Sequence, residues 1–483
     1  MSLHAQLSPE ALERLHKQRR NSTISSIVIA FLSITLVALV LGVFLLPSLV
    51  KEVPTIVTYE SNLDNDNELV EKKVQVSTNR KPSSPSSSMS KVIVSNTSSP
   101  TSVPVPDVDV TNPSLDFGDG DDFGSGWGDG DGTGGGFGNI PATMKKRCSK
   151  EDRLARLQET GGTPECEEAV VKALRWLKKT QKSDGSWGNS NQAAMTGFAL
   201  LAFLGHCETP HSEEFGDTVT RAILYLINVG LKNDGRIATS APASNHWVYE
   251  HGIGTYALAE AYTFCSKLNI NFPDLDKVTI QAGDMIIQGQ GASGGWVYCF
   301  ASTNSGDNSV GFWQIQALKA CYHTGLWTDS KLKKSGRKAL EWLEKAQGAN
   351  GAIGYRGNSG QSPGLTGGGV LCFQMWDAGR SRNARSGVKY LSKNSDFNWG
   401  EENANLYYHY YNAQALINHG GVDWDVYNAK FRDELLKNQA KDGSWNQSGV
   451  KHGPVNNHMA TCLATLMLEV YYRFLPGTGA GTK

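Results

Sequence analysis

Three short stretches late in the chain, and a lone histidine, hold residue types suited to proton chemistry. Tyr249-Glu250-His251-Gly252 sets an acid beside a base. At a cavity mouth the two would act as an acid/base pair. The alternative is a helix-start glutamate favoured by the helix dipole, with His251 bonded to a neighbour. Asp307-Asn308-Ser309 offers an acid or an orienting group, and His458, after Asn456 and Asn457, offers a polar partner. Tyr407-Tyr408-His409-Tyr410-Tyr411 puts five rings in five residues. They would line a cavity and stabilise a cation through their π faces, or form ordinary aromatic core. Residues 364–369 read GLTGGG, but no Lys-Ser/Thr follows, so a phosphate loop is excluded. Close helix approach or open space remains for those glycines.

Each of these groups stands at the start of an apolar segment, and the segments recur. Leu177-Gln181-Gly185-Trp187, Ile286-Gln290-Gly294-Trp296 and Leu435-Gln439-Gly443-Trp445 share one spacing. Leu343-Gln347-Gly351-Ile353 and Ile227-Leu231-Gly235-Ile237 keep the frame with substitutions, and a degraded copy surrounds Trp399. Glycines 185, 235, 294 and 351 follow one another at intervals of 50, 59 and 57. Six units of this length indicate a repeat architecture. Each unit predicts an amphipathic helix with i, i+3, i+4 spacing, a turn on Asp-Gly or Asn-Gly, then a second helix. The second helices fall at 193–204, 252–264, 310–322, 367–376, 406–417 and 459–472. They are apolar nearly all round, which assigns them to the interior. Six outer and six inner helices in alternation describe an all-α, closed (α/α)6 toroid over residues 146–478.

The L-x3-Q-x3-G-x-W frame resembles the QW motif of squalene and oxidosqualene cyclases. The region 164–476 resembles the terpenoid cyclase and protein prenyltransferase toroid superfamily. The resemblance implies structural roles for Gln181, Trp187, Gln290, Trp296, Gln347, Gln439 and Trp445, tying outer helices together. It also implies a site at the inner-helix starts. The candidates there are Asp307, Glu250, His251 and His458 for catalysis. Trp313, Tyr407, His409, Tyr410 and Ser309 are the candidates for ligand contact. The D-x-D-D acid motif of those cyclases is absent from residues 146–478, where Gly306-Asp307-Asn308-Ser309 carries one carboxylate in place of the motif's three. The stretch from Asp307 to Trp313 resembles the D-x-C-Y-S-F-W of prenyltransferases, with Ser309 in the cysteine's place. A serine hydroxyl is a poor zinc ligand, so neither a metal nor a cofactor is expected.

The rest of the chain determines where such a domain would work. Residues 1–23 are a short tail with Arg14, Lys17, Arg19 and Arg20 near its end. Residues 24–50 contain no charge and are long enough to cross a bilayer as a helix. The flanking positive charge predicts a cytoplasmic N-terminus, a single-pass membrane protein and an extracytoplasmic C-terminal domain. Residues 51–145 are rich in Ser, Pro, Gly and Asp and read as a flexible linker; 479–483 are a tail. Lys+Arg (46) and Asp+Glu (47) cancel, which excludes ordinary nucleic-acid binding. Cys148 and Cys166 are candidates for a disulfide, and Cys207, Cys265, Cys321, Cys372 and Cys462 for buried packing. Two functions follow as expectations. The cavity binds or transforms an apolar, polyprenyl- or triterpenoid-like molecule, or the toroid is a non-catalytic module for a protein or glycan at the cell envelope.

Overall fold

The computed structural model describes residues 147–300, 305–447 and 450–473. The expected cytoplasmic tail, membrane helix, linker and C-terminal tail lie outside the described residues. Among the described residues no helix is long and apolar enough to cross a membrane.

Among the described residues fourteen α-helices follow one another: α1 (Lys150–Thr160), α2 (Pro164–Thr180), α3 (Gln192–Gly205), α4 (Gly216–Lys232), α5 (Trp247–Lys267), α6 (Leu275–Gln288) and α7 (Asn308–His323). Then come α8 (Lys331–Ala346), α9 (Pro363–Met375), α10 (Arg382–Asn394), α11 (Leu406–His419), α12 (Gly421–Lys437), α13 (Asn457–Leu468) and α14 (Val470–Arg473). Their packing follows from their sequences. α8 buries Leu332, Ser335, Gly336, Ala339, Leu343 and Ala346, one stripe at helical spacing, and leaves its lysines in water. α3 buries every residue from Ala193 to Gly205. One-faced helices must lie outside and all-round apolar ones inside. The inner helices α3, α5, α7, α9, α11 and α13 pack each against the next, and α13 returns to α3. The described residues form an α/α toroid.

The repeat motif is the clamp between units. Gln181 Nε2 donates to Gly185 O in its own turn (3.0 Å) and to Thr218 O on the next outer helix (3.0 Å). Gln290 does the same with Gly294 O and Ser335 O, and Gln347 with Gly351 O and Asn383 O. Gln439 closes the ring, donating to Gly443 O (3.0 Å) and across 270 residues to Ala169 O (2.8 Å). Trp187, Trp296 and Trp445 each drop an indole N–H onto a carbonyl near the end of their own outer helix, Leu177, Ile286 and Leu435, all at 2.8 Å. Gly443 sits at φ +95°, and a Cβ there would lie 2.3 Å from Lys172 O. Only glycine allows both the left-handed turn and that approach.

Three sequence expectations are corrected. Cys148 pairs with Cys207, not Cys166 (Cα–Cα 4.9 Å). Cys166 is a buried free thiol within α2, while Cys207 lies just past the end of α3, where the chain before α1 can reach it. α5 and α9 begin five and four residues earlier than their apolar periodicity, because glycine and polar residues in the first turns are still helical. Helix α1 precedes the first repeat, packs on α14 and is an addition to the twelve-helix scheme.

At the C-terminal ends of the inner helices the interior carries charge. Glu260 binds Arg147 (2.8 Å) and Arg473 (2.9 Å). Nearby, His206 Nδ1 bonds Glu208 (2.8 Å) and Nε2 bonds Glu167 (3.0 Å), and Glu167 also receives Arg153 (2.8 Å). Both ring nitrogens face carboxylates, so both donate and the ring is an imidazolium. Burial opposes that charge, but the bonds to Glu167 and Glu208 outweigh it and hold the pKa above the ordinary 6.5. A raised folded-state pKa stabilises the fold fully below about pH 6.5, and the contribution is lost as pH rises through the folded value. The expected result is a urea midpoint that falls between pH 6 and pH 9. In His206→Leu that slope flattens, since the variant has no proton to lose there.

Candidate functional site

The inner helices run parallel, so their N-termini gather at one end of the ring. Four of the six begin with a side-chain cap. Asp307 accepts from Ser309 N, Ser362 from Leu365 N, Asn405 from Tyr407 N and Tyr408 N, and Asn456 from Met459 N. Much of the polar ring seen in the sequence is therefore helix capping.

Inside this ring is a cavity of about 780 Å³, within the usual range for small-molecule sites. All six inner helices contribute through their first turns. Its apolar lining includes Met195, Phe198, Ile253, Phe312, Leu365 and Met459, drawn from five of the inner helices. Six tyrosines also line it: Tyr249, Tyr298, Tyr355, Tyr407, Tyr408 and Tyr411. The GLTGGG run is helical within α9. A Cβ on Gly364 would lie 2.1 Å from the Tyr408 ring, and one on Gly367 would lie 1.9 Å from Asn412 Oδ1. These glycines let neighbouring helices close in and do not open space.

A connected set of hydroxyls covers the wall between α5 and α7. Ser309 Oγ bonds Asp307 Oδ1 (2.6 Å) and Tyr249 OH (2.8 Å). Tyr249 OH meets Tyr298 OH (3.3 Å), which meets Tyr355 OH (3.0 Å). Asp307 itself is buried beneath Ser309 and does not line the cavity. Arg356 Nε is 4.0 Å from its Oδ2, and the guanidinium lies over the Tyr355 ring. Burial pushes the pKa values of Tyr249 and Tyr355 upward, with Tyr407 adding to the rise at Tyr249 and the Asp307 carboxylate at Tyr355, so both stay protonated.

The expected catalytic residues do not converge. Glu250 reaches the cavity lining, but its carboxylate is taken up as an acceptor. It receives Ala193 N–H (3.2 Å), Thr239 N–H (3.1 Å), Thr239 Oγ1 (2.7 Å) and Ser240 N–H (2.9 Å). His251 points outward: Nδ1 accepts from Ile237 N–H (3.0 Å) and Nε2 donates to Ala282 O (3.2 Å). Burial pushes its pKa down to about 3, so it is a neutral structural ring. Adjacent residues on a helix diverge by about 100°, which is why Glu250 and His251 form no pair. His458 donates to Met195 O (3.0 Å), packs beside Trp176 and Trp187, and is pushed down to about 4 by burial.

Of the expected ligand contacts, Ser309 and Tyr407 line the cavity. Trp313 and Tyr410 lie beneath it, stacked at 5.4 Å, and the Trp313 indole N–H donates to Tyr407 OH. His409 faces α12 and bonds Tyr427 OH (2.7 Å) and Asn403 O (2.6 Å). Tyr298 and Tyr355 escaped the sequence reading because they sit in loops. A signal existed: each falls four residues after a repeat glycine, Gly294 and Gly351, and Thr239 and Gln447 stand at the same offset after Gly235 and Gly443. Thr239 bonds Glu250, and Gln447 bonds Leu406 N and Ala404 O, so that offset delivers polar groups to the inner-helix starts.

No known protein family and no curated protein matches the chain by sequence. Among solved structures it is similar to the α-1,6-mannanase GH76A from Salegentibacter sp. HEL1_6, at 11% identity and a TM-score of 0.48, over 64% of this chain and 98% of that one. It is also similar to the type II terpene cyclase MstE from Scytonema, at 10% identity and a TM-score of 0.42, over 64% and 98%. A protein from Actinoplanes gives 13% and 0.42, over 64% and 99%. Fold and site together define the class: an α/α toroid with an aromatic, hydroxyl-walled cavity at its inner-helix N-termini.

Proposed function

We propose that the protein is a membrane-tethered binding protein that takes a ligand with an apolar body into the mouth of its toroid and does not cyclise it. The observation that carries this reading is the occupation of both rim carboxylates. Glu250 is bonded to four donors and Asp307 caps α7 beneath Ser309, in a cavity otherwise walled by apolar and aromatic groups. Protonating an alkene needs a carboxylic acid presented to the substrate, and neither carboxyl group is so presented. The uncharged run 24–50 and the Cys148–Cys207 disulfide support an extracytoplasmic placement, because disulfides persist in oxidising compartments. A second reading, a glycan ligand, is favoured by the six tyrosine rings in the lining.

The test is organic extraction and mass spectrometry of the full-length protein purified from membranes. Near-stoichiometric lipid is expected with the wild type. Ala194→Trp, which fills the cavity from α3, is expected to lose most of it. A wild-type protein empty at every preparation would overturn the apolar-ligand reading.

A further inference from the structure

The hydroxyl wall has a direction, and the direction selects a ligand. Each serine or tyrosine hydroxyl carries one proton. Asp307 Oδ1 accepts from the Ser309 backbone N–H (3.0 Å), so it is also the acceptor for Ser309 Oγ (2.6 Å). With its proton spent there, Ser309 Oγ accepts from Tyr249 OH. Tyr249, having given its proton to Ser309, accepts from Tyr298, and Tyr298 in turn accepts from Tyr355. Four hydroxyl protons fill four internal hydrogen bonds, and every one points toward Asp307. What these four groups leave for a ligand is oxygen lone pairs.

A second, independent observation concerns the helix ends. Free N–H groups at helix N-termini ordinarily make anion sites. Here Asp307, Ser362, Asn405 and Asn456 cap α7, α9, α11 and α13, and Glu250 takes the Ala193 N–H at the start of α3. Five of the six N-termini around the cavity are thus already bonded. Among the described residues the cavity lining holds no lysine or arginine.

We infer that the head-group subsite, formed by Tyr249, Tyr298, Tyr355 and Ser309, accepts hydrogen bonds and donates none. It therefore selects a neutral ligand that brings its own hydroxyl protons and rejects phosphate or carboxylate heads. At these four hydroxyls an anionic head would meet only lone pairs and lose its hydration there without replacement. This rests on the cavity being the binding site. The shared chemistry, a hydroxylated neutral head, can come from an isoprenoid alcohol or from a sugar.

Calorimetric titration of the full-length protein in mild detergent separates these. The probes are geranylgeraniol, geranylgeranyl monophosphate and maltotriose. The expected result is alcohol binding at least ten times tighter than monophosphate binding. Maltotriose binding without alcohol binding would support the same head-group chemistry with a sugar as its source, and would overturn the apolar-body reading instead. Equal affinity for alcohol and phosphate, or a preference for phosphate, overturns the inference and leaves the cavity reading standing. Binding of none of the three overturns both. Tyr249→Phe frees the Tyr298 proton to face the cavity, and Tyr298→Phe frees that of Tyr355. Each is expected to narrow the alcohol-to-phosphate ratio several-fold, and an unchanged ratio in both overturns the proton count.

Discussion

Replacing Trp445 with alanine is expected to destabilise the toroid by about 3–5 kcal/mol, the range for a fully buried tryptophan. Trp445 is wholly buried at the point where the last unit meets the first. Its indole N–H donates to Leu435 O (2.8 Å), and its backbone N–H donates to Thr461 Oγ1 on the first turns of α13 (3.0 Å). The ring therefore ties the turn to its outer helix, while the backbone beside it ties the turn to the inner helix. Beside it Gln439 makes the bond to Ala169 O that closes the ring. Deleting the ring leaves a cavity and an unpaired carbonyl at a seam whose partners are far apart in sequence. Urea unfolding followed by tryptophan fluorescence reads the loss as a lower midpoint. Trp399→Ala is the comparison: Trp399 is half-buried, with its ring beside Phe397 and its backbone N–H donating to Glu434 (3.3 Å). Its cost is expected to be clearly smaller. Equal costs would show that burial at the seam does not set the stability.

Glu250→Ala is expected to cost about 3–5 kcal/mol, because it strands several buried donors at once. The N–H groups of Ala193, Thr239 and Ser240 and the Thr239 hydroxyl all converge on this carboxylate. It ties the start of α3 to the loop before α5. Glu250→Gln keeps one acceptor oxygen but turns an NH2 toward N–H groups, so an intermediate loss is expected. The informative measurement pairs stability with lipid content. A structural carboxylate lowers the urea midpoint while the folded fraction keeps its lipid. Loss of lipid with no change in midpoint would return Glu250 to the ligand.

The toroid was legible in the sequence because its signals are local and repeated. Gln181, Gly185 and Trp187 bond within one helix–turn unit, and Gln181 bonds the next one as well, so their spacing survives as a motif. The one-sided burial of α8 and the all-round burial of α3 are likewise written in the periodicity of their residues. The same logic made the polar residues at inner-helix starts conspicuous. Asp307, Asn405 and Asn456 are there because a helix end leaves N–H groups unpaired, a requirement that precedes any function.

Residue order and type therefore specified the repeat, the two layers of helices and the ring on which a site would form. Which side chains share that site was decided by tertiary structure, because side-chain direction depends on helix rotation and loop path. Glu250 and His251 are neighbours in sequence and face different layers. Cys148 finds Cys207 across 59 residues, not the nearer Cys166. Tyr249 and Ser309 come from two inner helices and Tyr298 and Tyr355 from the connections before α7 and α9; the repeat offset marks the last two, but only the closed ring brings all four hydroxyls within hydrogen-bonding distance.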